Sequence, residues 1–125
     1  MKASYYKIVE DHNGSPKTLF HGVSGVRTLP FDTWVDADIK WVNDGDSDRY
    51  YWSGFHLLET LEEAIDYLRK FKRRADKAIV KVTIDTKKKL WRKTHSPHNV
   101  WLAETMKISK RQWDKRKVKI LPDAT

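Results

Sequence analysis

Short segments rich in β-branched and aromatic residues recur along the chain, separated by polar clusters. This pattern is typical of strands joined by turns. Residues 31–42 fit either a short helix or a strand, and the pattern does not choose between them. The spacing predicts strands at residues 5–10, 18–21, 50–52, 55–58, 78–84 and 99–108, a short edge strand at 90–91 and a closing strand at 118–121.

One segment has helical spacing instead. Between residues 61 and 73 the apolar side chains recur every three or four positions and form a single stripe. Thr60 and Glu63 match the capping box, in which each side chain satisfies the free backbone N–H of the other residue. We therefore expect one main amphipathic helix over about 61–73 that begins after Thr60.

Most of the predicted elements are joined by connections too short for a helical crossover. Strands joined in this way pair antiparallel. The chain shows no internal repeat and no linker between composition-distinct parts. We therefore expect a single α+β domain over residues 1–125, built on a mostly antiparallel sheet.

The composition excludes several classes of protein. With 39% hydrophobic residues the chain has enough apolar material for one core, which argues against disorder. It has no cysteine, and therefore no disulfide, thiolate metal ligand or cysteine nucleophile. No stretch is apolar enough to cross a membrane or to serve as a secretory signal. These observations predict a cytoplasmic protein that does not engage a membrane.

Charge is divided unevenly between the two halves of the chain. Residues 1–66 contain six Lys/Arg and twelve Asp/Glu, a net charge of −6, whereas residues 67–125 contain nineteen and five, a net charge of +14. Such asymmetry indicates either a surface that binds anions or two halves that pair with each other in the fold. The overall charge of +8 describes neither half.

Aromatic residues are interleaved with cations in the basic half. Rings that stack on bases, beside cations that contact phosphates, are typical of proteins that bind single-stranded nucleic acid. The same tryptophans could instead lie in the core, as tryptophan often does in a small domain. The residues predicted to bind nucleic acid or an acidic protein are Arg69, Lys72, Arg73, Arg74, Lys87, Lys88, Lys89, Trp91, Arg92, Lys93, Arg111, Trp113 and Lys115.

Two clusters are similar to metal sites without matching one. The run 44–48 alternates aspartates as a calcium loop does, but Arg49 and Phe55 stand where that loop needs Gly and a bidentate Glu. His95 and His98 have the spacing of two metal ligands, but no third ligand follows at a recognised distance. We therefore expect no metal site.

Glu104 falls on the apolar side of the strand predicted at 99–108. A carboxylate there costs on the order of several kcal/mol unless it is paired or protonated. Either the side chain meets an arginine or a lysine inside a pocket, or a β-bulge turns it outward.

Several short motifs are spread over about seven-tenths of the chain, at residues 20–108. They are Phe20-His21-Gly22, the run 26–34 (VRTLPFDTW), Ser53-Gly54-Phe55-His56, Leu61-Glu62-Glu63-Ala64, His95-Ser96 and the run 100–106 (VWLAETM). Together they resemble small accessory proteins carried by bacteriophages and prophages. The resemblance implies a viral or mobile-element accessory protein that acts in the host-cell cytoplasm. Taken with the charge of the basic half, it predicts a protein that engages nucleic acid or an acidic host protein to counter or redirect a host system.

A His-Gly pair that ends an early strand, an aromatic segment before a helix and a Glu on a late strand are similar to ADP-ribosyltransferase-like domains. By this resemblance His21 would contact the nicotinamide ribose, Tyr51 would stack on the nicotinamide and Glu104 would polarise the ribose. Tyr50 fits the aromatic segment as well as Tyr51 does. The alternative function is therefore an enzyme that uses NAD, and it requires the three side chains to meet in one cleft.

Leu68 lies in the stripe of the predicted helix, so its replacement tests that helix. We expect Leu68→Asp to unfold the protein, because the substitution places a charge among apolar side chains. Far-UV circular dichroism and thermal melting would measure the effect. A variant that still melts cooperatively would contradict the helix assignment.

Overall fold

The protein is built mainly from short strands. The computed structural model describes residues 3–12, 14–18, 28–43, 50–71, 76–93 and 99–117. Within them the strands are β1 (Ser4–His12), β2 (Ser15–Lys17), β3 (Val35–Asp36), β4 (Trp41–Asn43), β5 (Tyr50–Trp52), β6 (Phe55–Leu58), β7 (Lys77–Ile84), β8 (Leu90–Arg92), β9 (Val100–Ala103) and β10 (Thr105–Lys107). The helices of the same residues are α1 (Leu61–Leu68) and α2 (Lys110–Asp114).

Most of the predicted strands are present where the sequence pattern places them. Residues 31–42, which the pattern left open, are not helical and contain β3 and part of β4. The predicted strand at 118–121 and most of the one at 18–21 lie outside the described residues. The strands confirmed apart from their ends are those at 5–10, 50–52, 55–58, 78–84 and 90–91.

Antiparallel pairing organises the strands. One sheet has the order β3-β10-β7-β1-β6-β9-β8, with β2 paired to β1, and β4 and β5 form a separate two-stranded sheet. Every strand pair within the described residues is antiparallel. The prediction of a mostly antiparallel, sheet-rich α+β fold is therefore confirmed.

A bend at Glu104 makes the sheet curl round on itself. Glu104 alone separates β9 from β10 along the chain. β9 pairs with β6 and β10 pairs with β7, which lie on opposite sides of β1. One residue therefore joins the two ends of the path β10-β7-β1-β6-β9. The continuous strand predicted over 99–108 is wrong in this respect, because the bend divides it.

The curled sheet encloses one apolar cluster and carries another on its outside. Residues directly opposite on antiparallel strands share a face, so Tyr5 and Val82 point inward together, as do Phe55 and Ala103. The outer cluster, where α1 packs on the sheet, consists of Ile8, Leu58, Ala64, Leu68, Ile79 and Val100. The inner cluster consists of Tyr5, Val9, Leu29, Val35, Phe55, Leu57, Ala78, Val80, Val82, Ile84, Ala103, Met106, Ile108 and Trp113.

α1 begins as predicted and ends earlier. Thr60 Oγ1 accepts the backbone N–H of Glu63 at 3.1 Å and donates to the carboxylate of the same residue, so Thr60 is the N-cap. The helix ends at Leu68 rather than at residue 73, because the N–H groups of Lys70 and Phe71 bond to carbonyls three residues back and tighten the chain into turns. Residues 72 and 73 lie outside the described chain.

α2 was not predicted, although its sequence contains a start signal. Ser109 and Gln112 form a complete capping box, with side-chain to backbone bonds in both directions. The helix places Trp113 in the inner core. Neither of the helices in the described residues has the length and apolar character that a membrane crossing needs.

The cap of α1 can be tested by removing its oxygen. We expect Thr60→Ala to lower the free energy of unfolding by about 1 kcal/mol, because the Glu63 N–H loses its acceptor. Urea denaturation would measure the loss. Thr60→Ser keeps the oxygen and serves as the control, and equal destabilisation by both substitutions would show that the cap bond is not the cause.

Candidate functional site

Exposed apolar side chains are concentrated in one stretch of the described chain. The large hydrophobic residues that remain exposed are Trp34 (45%), Ile39 (37%), Trp41 (57%), Tyr50 (48%) and Trp52 (54%). All of them fall between residues 34 and 52. Large apolar groups that stay together in solvent mark a binding surface.

β4 and β5 present three of these rings on one face. Trp41 lies opposite Trp52, and Asn43 lies opposite Tyr50, so the three rings share a face of the two strands. The Trp41 and Tyr50 rings are stacked, with centroids 6.2 Å apart and planes 12° apart. Trp41 and Trp52 meet edge to face at 5.3 Å. We call β4 and β5 with these three rings the aromatic hairpin.

The other face of the aromatic hairpin ties it to the curled sheet. The Tyr51 hydroxyl on that face lies 3.3 Å from Nε2 of His56 on β6, and the two rings meet edge to face. The Lys93 ammonium lies 4.6 Å from the centroid of the Tyr51 ring. The indole N–H of Trp91 in β8 donates to the Trp52 carbonyl at 3.2 Å. The aromatic hairpin therefore lies directly beside β6 and β8.

Cations line the sheet edge next to the aromatic hairpin. β8 is the last strand of the sheet path, and residues 87–89, three exposed lysines, precede it. The guanidinium of Arg92 lies 5.5 Å from the Trp101 ring and donates to Asn99. We call residues 87–89, Arg92 and Lys93 the basic edge. Cations at an edge strand discourage pairing with another strand, and they also attract anions.

Part of the basic half is paired with the acidic half. Arg116 Nε lies 2.7 Å from a carboxylate oxygen of Asp11, and Lys77 Nζ lies 3.4 Å from one of Glu10. The alternative that the two halves neutralise each other is therefore realised at β1. Within the described chain no ion pair engages residues 87–89. Their charge remains available to a partner.

Lys7 is a buried lysine next to His56, the residue that contacts Tyr51 of the aromatic hairpin. It is 6% exposed. It follows Tyr6, the residue of β1 that pairs with Leu58 of β6. Its ammonium donates to the His56 carbonyl at 3.3 Å. A cavity of about 20 Å³ adjoins it, with room for one water molecule. Burial lowers the pKa of Lys7 to about 8.

His56 is held in its neutral form. Burial, followed by the nearby charges of Lys7 and Lys93, lowers the pKa of His56 to about 3. The imidazole therefore stays uncharged near neutral pH, and it serves Tyr51 as a hydrogen-bond partner. A neutral ring at this position adds no charge to the side of the aromatic hairpin that meets the sheet.

The structure separates the residues predicted to bind an acidic partner. Trp91 is half-buried next to the basic edge, which contains Lys87, Lys88, Lys89, Arg92 and Lys93. Arg111 and Lys115 are exposed at α2. Arg69 is also exposed and pairs with Asp66 at 3.1 Å. The residues of this set that lie outside the described chain are Lys72, Arg73 and Arg74.

The prediction that Trp113 binds nucleic acid or an acidic protein is wrong, because its ring is not available to a ligand. It is 1% exposed and belongs to the inner core. Its indole N–H donates to the Gly14 carbonyl at 2.9 Å, and Arg116 covers the ring at 4.1 Å. The alternative that a tryptophan of the basic half lies in the core is therefore correct for Trp113.

The residues implied by the ADP-ribosyltransferase resemblance are only partly described. His21 lies outside the described residues. One face of the Tyr51 ring is occupied by Lys93. Glu104 is half-exposed at the bend, where its carboxylate accepts the Lys89 N–H at 3.1 Å. A bend has therefore replaced both the buried ion pair and the bulge expected there, and the meeting of the three residues in one cleft stays a prediction.

The candidate metal ligands belong to two other segments. The aspartates at 44–48 and the pair His95 and His98 lie outside the described residues. Among the residues that are described, no group of three His, Asp or Glu side chains could hold a metal ion. Within the described part of the chain, the candidate site therefore consists of the aromatic hairpin and the basic edge.

The aromatic hairpin could not be located from the sequence pattern, for a physical reason. Alternation places Tyr50 and Trp52 on one face and Tyr51 on the other, but it does not tell which face is buried. The face with more aromatic area is usually the buried one. Here Tyr51 is half-buried against the sheet while Tyr50 and Trp52 stay exposed, and the signal that was available, Asn43 on the same face as Trp41, is weak.

Comparison of the chain with protein-family models, with curated proteins and with solved structures found no match. The similarities to phage accessory proteins and to ADP-ribosyltransferase-like domains therefore stay predictions. The chemistry of the surface is then the guide to function. It combines flat rings that face solvent with cations at the neighbouring sheet edge.

Burial of Lys7 makes stability depend on pH. Between pH 8 and 10.5 the unfolded lysine, with its ordinary pKa of 10.5, holds a proton that the buried lysine has released. The free energy of unfolding should therefore rise with pH across this window, by about 3 kcal/mol. Urea denaturation of the wild type and of Lys7→Met would measure the rise, and the difference between them removes the contribution of the tyrosines. Equal slopes would contradict a burial cost at Lys7.

Proposed function

We propose that the protein binds single-stranded nucleic acid on the aromatic hairpin and the basic edge. The observation that carries the proposal is the outward face of the hairpin, where Trp41, Tyr50 and Trp52 are each about half exposed. Burial of apolar surface contributes roughly 25 cal/mol per Å². Three large rings left together in solvent forgo that contribution, and a ligand that covers them restores it.

Nucleic-acid bases fit these rings. Every base has a flat π-face, so stacking on aromatic side chains binds strands with little dependence on sequence. The rings of Trp41 and Tyr50 are nearly parallel, and the register between β4 and β5 fixes their order along the surface. Bases that are already paired and stacked in a duplex cannot reach such rings, which favours a single strand.

The basic edge supplies the positive charge that the phosphates of a nucleic-acid strand require. The bond from Trp91 to the Trp52 carbonyl places β8 beside the aromatic hairpin. Phosphates that contact residues 87–89 would release counterions, so binding should weaken as salt rises.

An acidic host protein is the competing partner. It would use the basic edge, but it would leave the exposed rings of the aromatic hairpin without a role. A nucleic acid uses both features at once. The proposal also agrees with the phage-type accessory protein that the sequence motifs imply, since such a protein would meet nucleic acid in the host cytoplasm.

Two substitutions at Trp52 separate ring stacking from apolar bulk. We expect Trp52→Leu to weaken binding of a labelled oligothymidylate about 5- to 150-fold, the equivalent of one lost stacking contact. Trp52→Phe keeps a ring and should retain most of the affinity. Fluorescence anisotropy would measure both variants. Because Leu and Phe each fill the position opposite Trp41, a loss confined to Leu does not come from disruption of the strand pair.

The basic edge has its own matched control. Lys88→Gln and Lys70→Gln each remove one exposed charge, but only Lys88 belongs to the basic edge. We expect Lys88→Gln alone to reduce the slope of log K against log salt, by about 0.7 for a single strand. Lack of salt-dependent binding to any single strand would refute the proposal. Binding of polyglutamate that is indifferent to Trp52→Leu would favour the acidic protein partner.

A further inference from the structure

A second exposed ring is combined with a cation on another part of the surface. Trp34 is 45% exposed, and the ammonium of Lys107 lies 4.7 Å from the centroid of its ring. Trp34 directly precedes β3, and Lys107 is the last residue of β10. The two residues meet because β3 pairs with β10. The pair repeats, at one point, the combination of ring and cation found at the aromatic hairpin and the basic edge.

Both features lie on the outside of the curled sheet. Met106 lies opposite Val35, and both belong to the inner core. Successive side chains of a strand alternate between faces, so Trp34 and Lys107 point outward. The aromatic hairpin packs on His56, which lies between two inner-core residues of β6 and therefore also points outward. Both contact points therefore face away from the inner core.

The chain between the two features is held to the sheet. β3 pairs with β10, the Ala37 N–H donates to the Glu104 carbonyl at 2.8 Å, and the Ser53 N–H donates to the Lys40 carbonyl at 2.8 Å. Residues 34–41 therefore act as a fixed spacer. Seven residue steps span at most about 25 Å, which sets an upper limit on the separation of Trp34 from Trp41 along the chain.

We infer that Trp34 and Lys107 form a second contact point for the single-stranded nucleic acid that occupies the aromatic hairpin. The inference rests on the proposed function and makes it more specific: the preferred ligand is a single strand long enough to lie on both contact points. Since the intervening chain holds the two points at a fixed separation, a strand bound at one is presented to the other at high effective concentration. Affinity should therefore depend on Trp34 for long strands only.

A length series of oligothymidylates tests this. Strands of about 4 to 16 nucleotides cover the usual range of single-strand sites. We expect Trp34→Leu to match the wild type on the shortest strands and to bind the longest about 5- to 150-fold more weakly. Trp34→Phe should recover most of the loss. Lys107→Gln should lower the salt slope by about 0.7 on long strands alone, whereas Lys70→Gln should lower it at no length.

The outcomes separate the inference from the proposed function. If Trp34→Leu and Lys107→Gln have no effect at any length, or the same effect at every length, the second contact point is refuted while the aromatic hairpin stands. If Trp52→Leu has no effect, or the wild type binds no strand, the proposed function fails and the inference fails with it. Should Trp34→Leu melt below the assay temperature, Lys107→Gln still decides the question through its length-dependent salt slope, because it leaves the Trp34 ring in place.

Discussion

The bend at Glu104 is the constraint on which the rest of the structure depends. It lets one segment pair with β6 before the bend and with β7 after it, so an open sheet becomes a curled one with an inside. The same residue binds both neighbouring segments: its N–H donates to the Lys89 carbonyl, its carboxylate accepts the Lys89 N–H, and its carbonyl accepts the Ala37 N–H. The turn of the basic edge and the chain that leads to the aromatic hairpin are therefore attached at one point.

This attachment explains how exposed rings keep a defined position. The aromatic hairpin is a separate two-stranded sheet, and such a unit is marginally stable by itself. Tyr51 against a neutral His56 and Trp91 against the Trp52 carbonyl hold it in place. Gly54 allows this approach, because a Cβ at that position would lie 3.1 Å from the Trp91 ring. The aromatic hairpin is hydrogen-bonded to the sheet on one side and exposes its rings to solvent on the other.

Much of the fold followed from local chemistry, and the proposed site did not. Alternation located β7, and the Thr60 capping box located the start of α1, because both depend on residues close in sequence. The end of α1 and the break at Glu104 escaped prediction, since tertiary contacts decide them. The charge asymmetry drew attention to residues 87–89, which the structure leaves exposed. It also included Trp113, whose ring a five-residue helix delivers to the core.

The sequence by itself determined the strand-rich class, the antiparallel pairing, the start of the helix and the division of charge, because periodicity, caps and short connections act over a few residues. Only the tertiary structure decided which tryptophans face solvent. The fold covers Trp113 fully and Tyr51 in part, and leaves Trp34, Trp41 and Trp52 half exposed. No local rule distinguishes these rings, because the choice depends on which face of each strand meets the remainder of the chain, and that is settled only when the sheet curls.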